Sequence, residues 1–587
     1  MELIEQFQKL MEEKKYDIYI VPTSDYHSSE YICDYFKSRE LLTNFNGSQG
    51  TLLVTKNKAY LFVDGRYHIQ AEKQVTNKKI VIMKVGLNGV KTLPEILDDI
   101  IEDNMIIGFD AKTMPLILKR KLFNKYGDKI KFKTDYDLIN DLWPERPKMP
   151  FSLIYKLEDV FSGMPYNNKI ELLRNKLEEN QNDILLLSSL EDIAWTYNLR
   201  GNDILHTPVF YSFAVISKKE SILFVDKNKI SDDVKLYLKE NDVKIKDYDS
   251  IYDYMSKIKS KKVLIDIDTI NCQLFDSFEK NNEITNKVSP VKFLKCIKNE
   301  TEIKNIKSIH AKDGAMIVKL MYYLKKKNSD EISELSVGKY IDDLRSKIEG
   351  FIDLSFDTIA AFNEHGPMMH YIATQETNTI INKSGFLLVD SGGHYLDGTT
   401  DITRTFGMGR IGDEMKTNYT LVLKSLIALA SAKFLEGTTT QSLDILARAP
   451  IWANAMDYKF GTGHGVGYLL SVHEGPNNFS WKNKNSVEMK PGMITTNEPG
   501  IYIEDNYGIR LENEMLCVLD TKNENGNFLS FETITYAPFD LDCIKISLLT
   551  KNEKEWINSY HDLVYKNTNK YLTKDEKEWL KEITKKI

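Results

Sequence analysis

GFLLVDSGGHYLDGTTDITRTFG, residues 385–407, reads as two strands that each carry an aspartate where an apolar or β-branched residue is expected. Asp390 ends the run GFLLV, and Asp401 sits inside TTDITRTF. Aspartate is a poor strand residue, and a buried carboxylate needs a partner. Two later strand-like runs repeat the anomaly: Glu498 interrupts ITTNEPGIYI and Glu512 interrupts GIRLENEMLCV. Half of the ten histidines also fall in this region, at His365, His370, His394, His464 and His473. Taken singly, each residue has an ordinary explanation, such as a turn cap, a solvent-facing glutamate or a core histidine. Taken together they suggest a cation site. Two carboxylates about 4 Å apart repel by roughly 4 kcal/mol at an effective dielectric near 20, so four converging ones would not stay ionised alone. Two divalent cations would cancel that charge, His464 could add a neutral nitrogen, and a bridging water would be acidified into a nucleophile. Oxygen-rich donors with one imidazole favour manganese or a similar ion.

Working outward, the segments FDTIAAF, GFLLVDSGG, TTDITRTFG, GMITTNEPGIYI and GIRLENEMLCVL belong to a section that starts near residue 298. Ile303, Ile306, Ile317, Leu320, Met321 and Leu324 predict a helix over 300–326, and Ile341, Leu344 and Ile348 a second one before Gly350. Helix patterns at 411–434 and 442–456 separate the strands, and Pro450 implies a kink or an early end in the second. Trp556, Tyr560, Leu563, Tyr571 and Trp579 suggest C-terminal helices covering the core. Upstream, Asp17-IYIV, LTNFNGSQGTLLV and AYLFVDGR (ending at Arg66) are echoed by Asp183-ILLLSS, IAWTYNLRGND and SILFVD (ending at Asp226). This reads as two copies of one α/β unit. Pro144, Pro147 and Pro150 break the chain between them. The expected class is therefore α/β (α+β), with domains at 1–150, 151–298 and 299–587.

Composition removes several alternatives. A chain of 587 residues exceeds one hydrophobic core, and its 42% hydrophobic and 28% charged residues are ordinary for a globular protein. A net charge of −7 and a pI near 5.9 argue against nucleic-acid binding. The N-terminal MELIEQFQKLMEEKKYDIYIV lacks the apolar centre of a signal peptide, and no run reaches the roughly 18 apolar residues of a membrane span. Cys33, Cys272, Cys296, Cys517 and Cys543 are scattered and odd in number, as expected of reduced thiols in a cytoplasmic protein.

In chain order, Asp390-SGG, DGTTDITRTF, GTGHGVG around His464, NEPG at Glu498 and GIRLEN at Glu512 resemble the pita-bread metallopeptidases. That family includes methionine aminopeptidase, prolidase and aminopeptidase P. Within it the chain is most similar to the three-domain cytosolic Xaa-Pro aminopeptidases, through NLRGND with TPVF, DLSFDTIAA, MMHY, VHEGP and EPGIYIED. The resemblance covers almost the whole chain. It implies two creatinase-like N-terminal domains and a pita-bread catalytic domain with a curved, mainly antiparallel sheet. It also implies two divalent metal ions, with manganese expected, a homodimer, and peptides with proline at the second position as substrates.

Carried over residue by residue, Asp390 would bind one metal, Asp401 and Glu512 would bridge the pair, and His464 with Glu498 would complete the other site. His370 and His473 match substrate-pocket histidines that hold the scissile carbonyl, and Glu498 would double as proton shuttle. Arg66 in VDGR matches a peptide-contacting arginine, although a local ion pair at a turn explains it equally well. The chain departs from many relatives at Phe460, where they carry histidine, so no polar role transfers there. The rivals are a prolidase-type dipeptidase and a non-catalytic binding protein on the same scaffold. The second would be expected to lose metal ligands, and all five are present.

Overall fold

Asp17 is followed by β1 (Ile18–Pro22), which leads into β2 (Thr51–Thr55), β3 (Ala59–Val63), β4 (Ile80–Lys84), β5 (Met105–Gly108) and β6 (Ile130–Lys133). These strands form a six-stranded sheet of order β4-β3-β2-β1-β5-β6. Asp183 is followed in the same way by β7 (Ile184–Leu187), then β8 (Ser212–Ser217), β9 (Ser221–Val225), β10 (Val243–Lys246), β11 (Lys262–Ile265) and β12 (Glu283–Asn286). Their order, β10-β9-β8-β7-β11-β12, is that of the first sheet. The senses match as well: in each copy the first strand pairs antiparallel with the second and parallel with the fifth.

The repeated aspartates have repeated work. Asp17 Oδ2 accepts the Ile106 amide at 2.8 Å, and Asp183 Oδ2 accepts the Lys262 amide at 3.0 Å, each pinning its strand to the start of the parallel neighbour. Asp64 and Asp226 each accept the amide two residues on, from Arg66 and Asn228, both at 3.0 Å. Asn228 therefore stands where the first copy has Arg66. One apolar cluster joins Ile20, Leu53 and Phe62 of the first copy to Leu186, Phe213 and Phe224 of the second.

The computed structural model describes residues 2–326, 332–381 and 384–587. By contacts the chain divides into Met1–Leu157 with Met164–Lys292, and Glu158–Gly163 with Phe293–Ile587. The second unit begins with α1 (Glu300–Lys326), which buries Ile306, Ile317, Leu320, Met321 and Leu324. The helix α2 (Glu334–Arg345) follows and stops short of Ile348, and its last residue, Arg345, turns inward onto Asp313 of α1 at 2.6 and 3.0 Å. Next come β13 (Ile359–Phe362), β14 (Gly385–Ser391), β15 (Ile402–Met408), α3 (Asp413–Ala430) and α4 (Thr440–Trp452). Pro450 lies in the last turn of α4, so the early end occurs.

Further strands are β16 (Gly463–Gly465), β17 (Glu474–Phe479), β18 (Ile494–Asn497), β19 (Gly500–Ile503), β20 (Tyr507–Arg510), β21 (Asn513–Asn523) and β22 (Gly526–Thr533). All pairings among the labelled strands of this unit are antiparallel. The C-terminal helices α5 (Lys551–Thr568) and α6 (Lys574–Ile583) bury Ile557, Tyr560, Val564, Trp579 and Leu580 in the same core.

One expectation needs correction. Glu498 and Glu512 do not interrupt continuous strands; the chain changes ladder at both. β18 pairs with β21 up to Asn497↔Asn513, and β19 pairs with β20 from Gly500↔Arg510. Residues 498–499 and 511–512 thus lie opposite one another at a joint between two ladders, where Pro499 has no amide hydrogen to offer. Freed from strand pairing, both carboxylates can turn to the same place.

Candidate metal centre

The centre is assembled from this joint, the β14–β15 pair and the short strand β16. On β14 and β15 the register sets Asp390 opposite Thr403 and Ser391 opposite Ile402, so Asp401 immediately precedes the paired region. Glu512 is hydrogen-bonded to β15 through its amide, which donates to the Thr403 carbonyl at 3.1 Å. Thr403 Oγ1 in turn donates to Glu512 Oε2 at 2.7 Å. His464 lies on β16, its amide donating to Thr496 Oγ1 at 3.0 Å, while the Glu498 amide donates to the Thr462 carbonyl at 2.7 Å. The glycines beside His464 are needed for this approach. A Cβ on Gly463 would lie 1.9 Å from the Thr496 carbonyl oxygen, and one on Gly465 would lie 2.2 Å from that of Glu474.

The result is a tight donor set. Donor atoms of Asp401, His464 and Glu512 all lie within 4.8 Å of one another. His464 Nε2 is 3.5 Å from Asp401 Oδ2 and 3.4 Å from Glu498 Oε1. Asp390 is tied in through Arg510, whose Nη2 donates to Asp390 Oδ2 and whose Nε donates to Thr403 Oγ1 at 3.1 Å. Asp390 Oδ1 is buried without a hydrogen-bond partner. Four buried or largely buried carboxylates, one imidazole and an unsatisfied carboxylate oxygen are a set that divalent cations would complete.

The electrostatics agree. Burial first, and then repulsion from Asp390 and Glu498, push the Asp401 carboxyl well above the usual range. Glu512 is likewise held well above it by burial and then by Asp401 and Glu498. Burial also raises Glu498, against the pull of His464 and Arg510. Because these folded-state values are raised, the metal-free fold binds extra protons and loses stability as pH climbs from the ordinary carboxylate range through the raised values. Cation binding requires the deprotonated carboxylates. The gain in melting temperature on adding Mn²⁺ to chelated protein should therefore grow between pH 5 and pH 8; a gain that shrank with rising pH would contradict this electrostatic picture.

Two further candidate histidines are His473 and His370. His473 precedes β17, its ring centroid 4.3 Å from that of His464 in an edge-on arrangement. The next residue, Glu474, is buried and gripped by Lys295 at 2.9 Å and Lys298 at 2.5 Å. Glu474→Gln would leave two buried ammonium groups facing a neutral amide, so denaturant unfolding should show a loss of about 3–5 kcal/mol. A change within 0.5 kcal/mol would mean that the lysines find other compensation. His370 is half-buried, and the carbonyl of the preceding Met369 lies 3.5 Å from Arg510 Nη2. Phe460 packs against Tyr458 and Tyr502, and the Tyr502 hydroxyl accepts from Arg510 at 2.8 Å.

Arg66 lies in the other unit and makes the local pair: Nε and Nη2 meet Asp64 at 3.0 and 2.8 Å, with Glu30 3.9 Å away. Sequence reasoning missed Arg510, which links Asp390, Thr403, Tyr502 and Met369 although it stands in the same GIRLEN run as Glu512. It also missed Glu514, whose Oε1 accepts the Asp401 amide at 2.8 Å and whose Oε2 is 3.3 Å from His310 on α1. A charged residue two places from a suspected ligand in a strand-like run was the available signal for both.

Comparison with known proteins places these segments. Residues 4–139 and 145–302 each match a creatinase/prolidase N-terminal domain, residues 304–518 match metallopeptidase family M24, and 527–587 match the C-terminal region of that family. A probable Xaa-Pro aminopeptidase P of Botryotinia fuckeliana is 36% identical over 96% of this chain and 89% of its own length. The Xaa-Pro aminopeptidase 1 of Dictyostelium discoideum is 36% identical over 95% and 91%. A crystal structure of X-prolyl aminopeptidase from Caenorhabditis elegans, described as a cytosolic enzyme with a di-nuclear active site, is 31% identical, covers 100% of both chains and superposes with a TM-score of 0.95. Among the described residues, no helix is long and apolar enough to cross a membrane.

Proposed function

Because the chain belongs to metallopeptidase family M24, we propose that it is a dinuclear aminopeptidase that removes the N-terminal residue from peptides whose second residue is proline. The observation that supports this most is the gathering of Asp401, His464 and Glu512 donors within 4.8 Å, with Glu498 and Asp390 joined to them. In this reading Asp390 would hold one ion, Asp401 and Glu512 would be shared by the pair, and His464 with Glu498 would hold the other. Two divalent ions, manganese on the grounds of donor chemistry, would neutralise the carboxylates and acidify the attacking water. Glu498 takes the proton from that water and passes it to the leaving proline nitrogen. His370 and His473 orient the scissile carbonyl and donate to its oxygen as charge develops.

Arg66, held by Asp64, contacts the peptide beyond the proline. The division at 1–150, 151–298 and 299–587, a cytoplasmic location and a homodimer complete the reading, supported by the resemblance to three-domain relatives and by the cytosolic description of the nematode enzyme.

A peptide panel tests the substrate. A dipeptidase must recognise the carboxylate directly after its proline and close the site there, whereas an aminopeptidase needs an open cleft. We expect kcat/KM for Ala-Pro-Ala to equal or exceed that for Ala-Pro. The value for Ala-Ala-Ala should be roughly 10²-fold lower, since a pocket shaped for the proline ring discriminates by that order. Activity confined to Ala-Pro would place the chain with the dipeptidases.

A further inference from the structure

Glu334, the first residue of α2, is fully buried, and among the described residues its carboxylate accepts four hydrogen bonds. Its Oε1 takes the Phe362 amide at 2.7 Å and His365 Nδ1 at 2.8 Å. Its Oε2 takes the Tyr371 hydroxyl and the Thr379 amide, both at 3.0 Å. The Glu334 amide donates back to the Thr379 carbonyl at 3.1 Å. All four acceptor positions of the carboxylate are thereby used, and only a group that accepts without donating can serve them. Because a carboxylate only accepts, His365 donates through Nδ1.

The four donors bracket the segment that carries His370. Phe362 ends β13, which pairs with β14 up to Phe362↔Leu387, and β14 leads to Asp390. His365 and Tyr371 stack with ring centroids 4.3 Å apart, and Thr379 closes the far end. In between, Gly366 abuts β20 so closely that a Cβ there would lie 2.5 Å from the Gly508 nitrogen, and Met369 reaches Arg510. The segment is thus held on one side by a single carboxylate and on the other by the strand that leads to Glu512.

We propose that Glu334 is a positioning residue that fixes the 362–379 loop and, through it, the place of His370 opposite the scissile carbonyl; this rests on the role given to His370 under Proposed function. A loop residue that must meet a carbonyl oxygen within a fraction of an ångström needs its backbone held, and a misplacement of about 1 Å can cost on the order of 10²-fold in rate.

The test uses the Mn²⁺-loaded full chain, with Ala-Pro-Ala as substrate and metal content measured alongside. Tyr371→Phe removes one donor but keeps the ring on His365; Glu334→Gln keeps the shape but replaces two acceptor positions with donors. We expect kcat to fall about 10-fold for Tyr371→Phe and about 10²-fold for Glu334→Gln, with KM within about 2-fold and both metals retained. In a His370→Ala background, Tyr371→Phe should cost less than about 2-fold more, because both act through one contact. If Glu334→Gln does not fold, the Tyr371 pair alone decides. A full additional loss in the His370→Ala background, or an unchanged kcat for Tyr371→Phe alone, would overturn the assignment. An unchanged kcat in His370→Ala would instead remove the role of His370 itself, and with it this inference; failure of the wild-type chain to hydrolyse Ala-Pro-Ala would remove the aminopeptidase reading.

Discussion

Glu498→Gln is expected to lower kcat by at least ~10³-fold, far more than His473→Phe. In the proposed mechanism Glu498 has two duties, as metal ligand and proton shuttle, and glutamine would perform neither well. Its Oε1 lies 3.4 Å from His464 Nε2 and accepts from Thr496 Oγ1 at 3.3 Å, while its amide is fixed on the Thr462 carbonyl. The side chain is therefore already oriented, and the substitution keeps shape while removing charge and proton affinity. In the proposed mechanism His473, by contrast, adds one donor to a carbonyl that other groups also polarise, so its loss would remove one interaction among several. Metal content must be measured with the rates. A mild kcat effect with both ions still bound would assign the proton to another residue.

Exhaustive chelation is expected to abolish hydrolysis, and Mn²⁺ should restore more activity than Mg²⁺. Asp390, Asp401, Glu498 and Glu512 crowd one small volume in which burial and mutual repulsion hold three of the carboxyls above their ordinary range. Without cations these carboxyls keep their protons to higher pH than ordinary ones, and nothing is left to acidify the attacking water. Mg²⁺ keeps its water shell reluctantly and is usually held by few protein ligands, so a site offering many protein donors suits it less. Equal restoration by both ions would mean that the donor set does not select as its chemistry suggests.

Much of this centre was legible because a carboxylate in a strand-like run is chemically out of place. Asp390, Asp401, Glu498 and Glu512 announced themselves in that way, and His464 did so through glycines that the structure shows pressed against neighbouring carbonyls. The repeat was legible for a related reason. Asp17 and Asp183, like Asp64 and Asp226, accept the same backbone amides in each copy, so the pattern recurs because the hydrogen bond recurs. What escaped was pairing between distant segments. Nothing local to α2 says that Glu334 will gather donors from Phe362 to Thr379, and nothing near Lys295 and Lys298 says that they will close on Glu474. Arg510 was hidden by proximity to a more conspicuous neighbour. The joint at residues 498–499 and 511–512 escaped as well, since a strand-like pattern does not say which partner each half of a run will pair with.

Two cations acting together on a peptide bond are tested most directly by titrating chelated protein with Mn²⁺ while following both binding and Ala-Pro-Ala hydrolysis. Binding should saturate at two ions per chain, with activity rising alongside and reaching its plateau only as the second site fills. Full hydrolysis by a verified metal-free preparation, or no hydrolysis at all by protein carrying two bound ions, would contradict it.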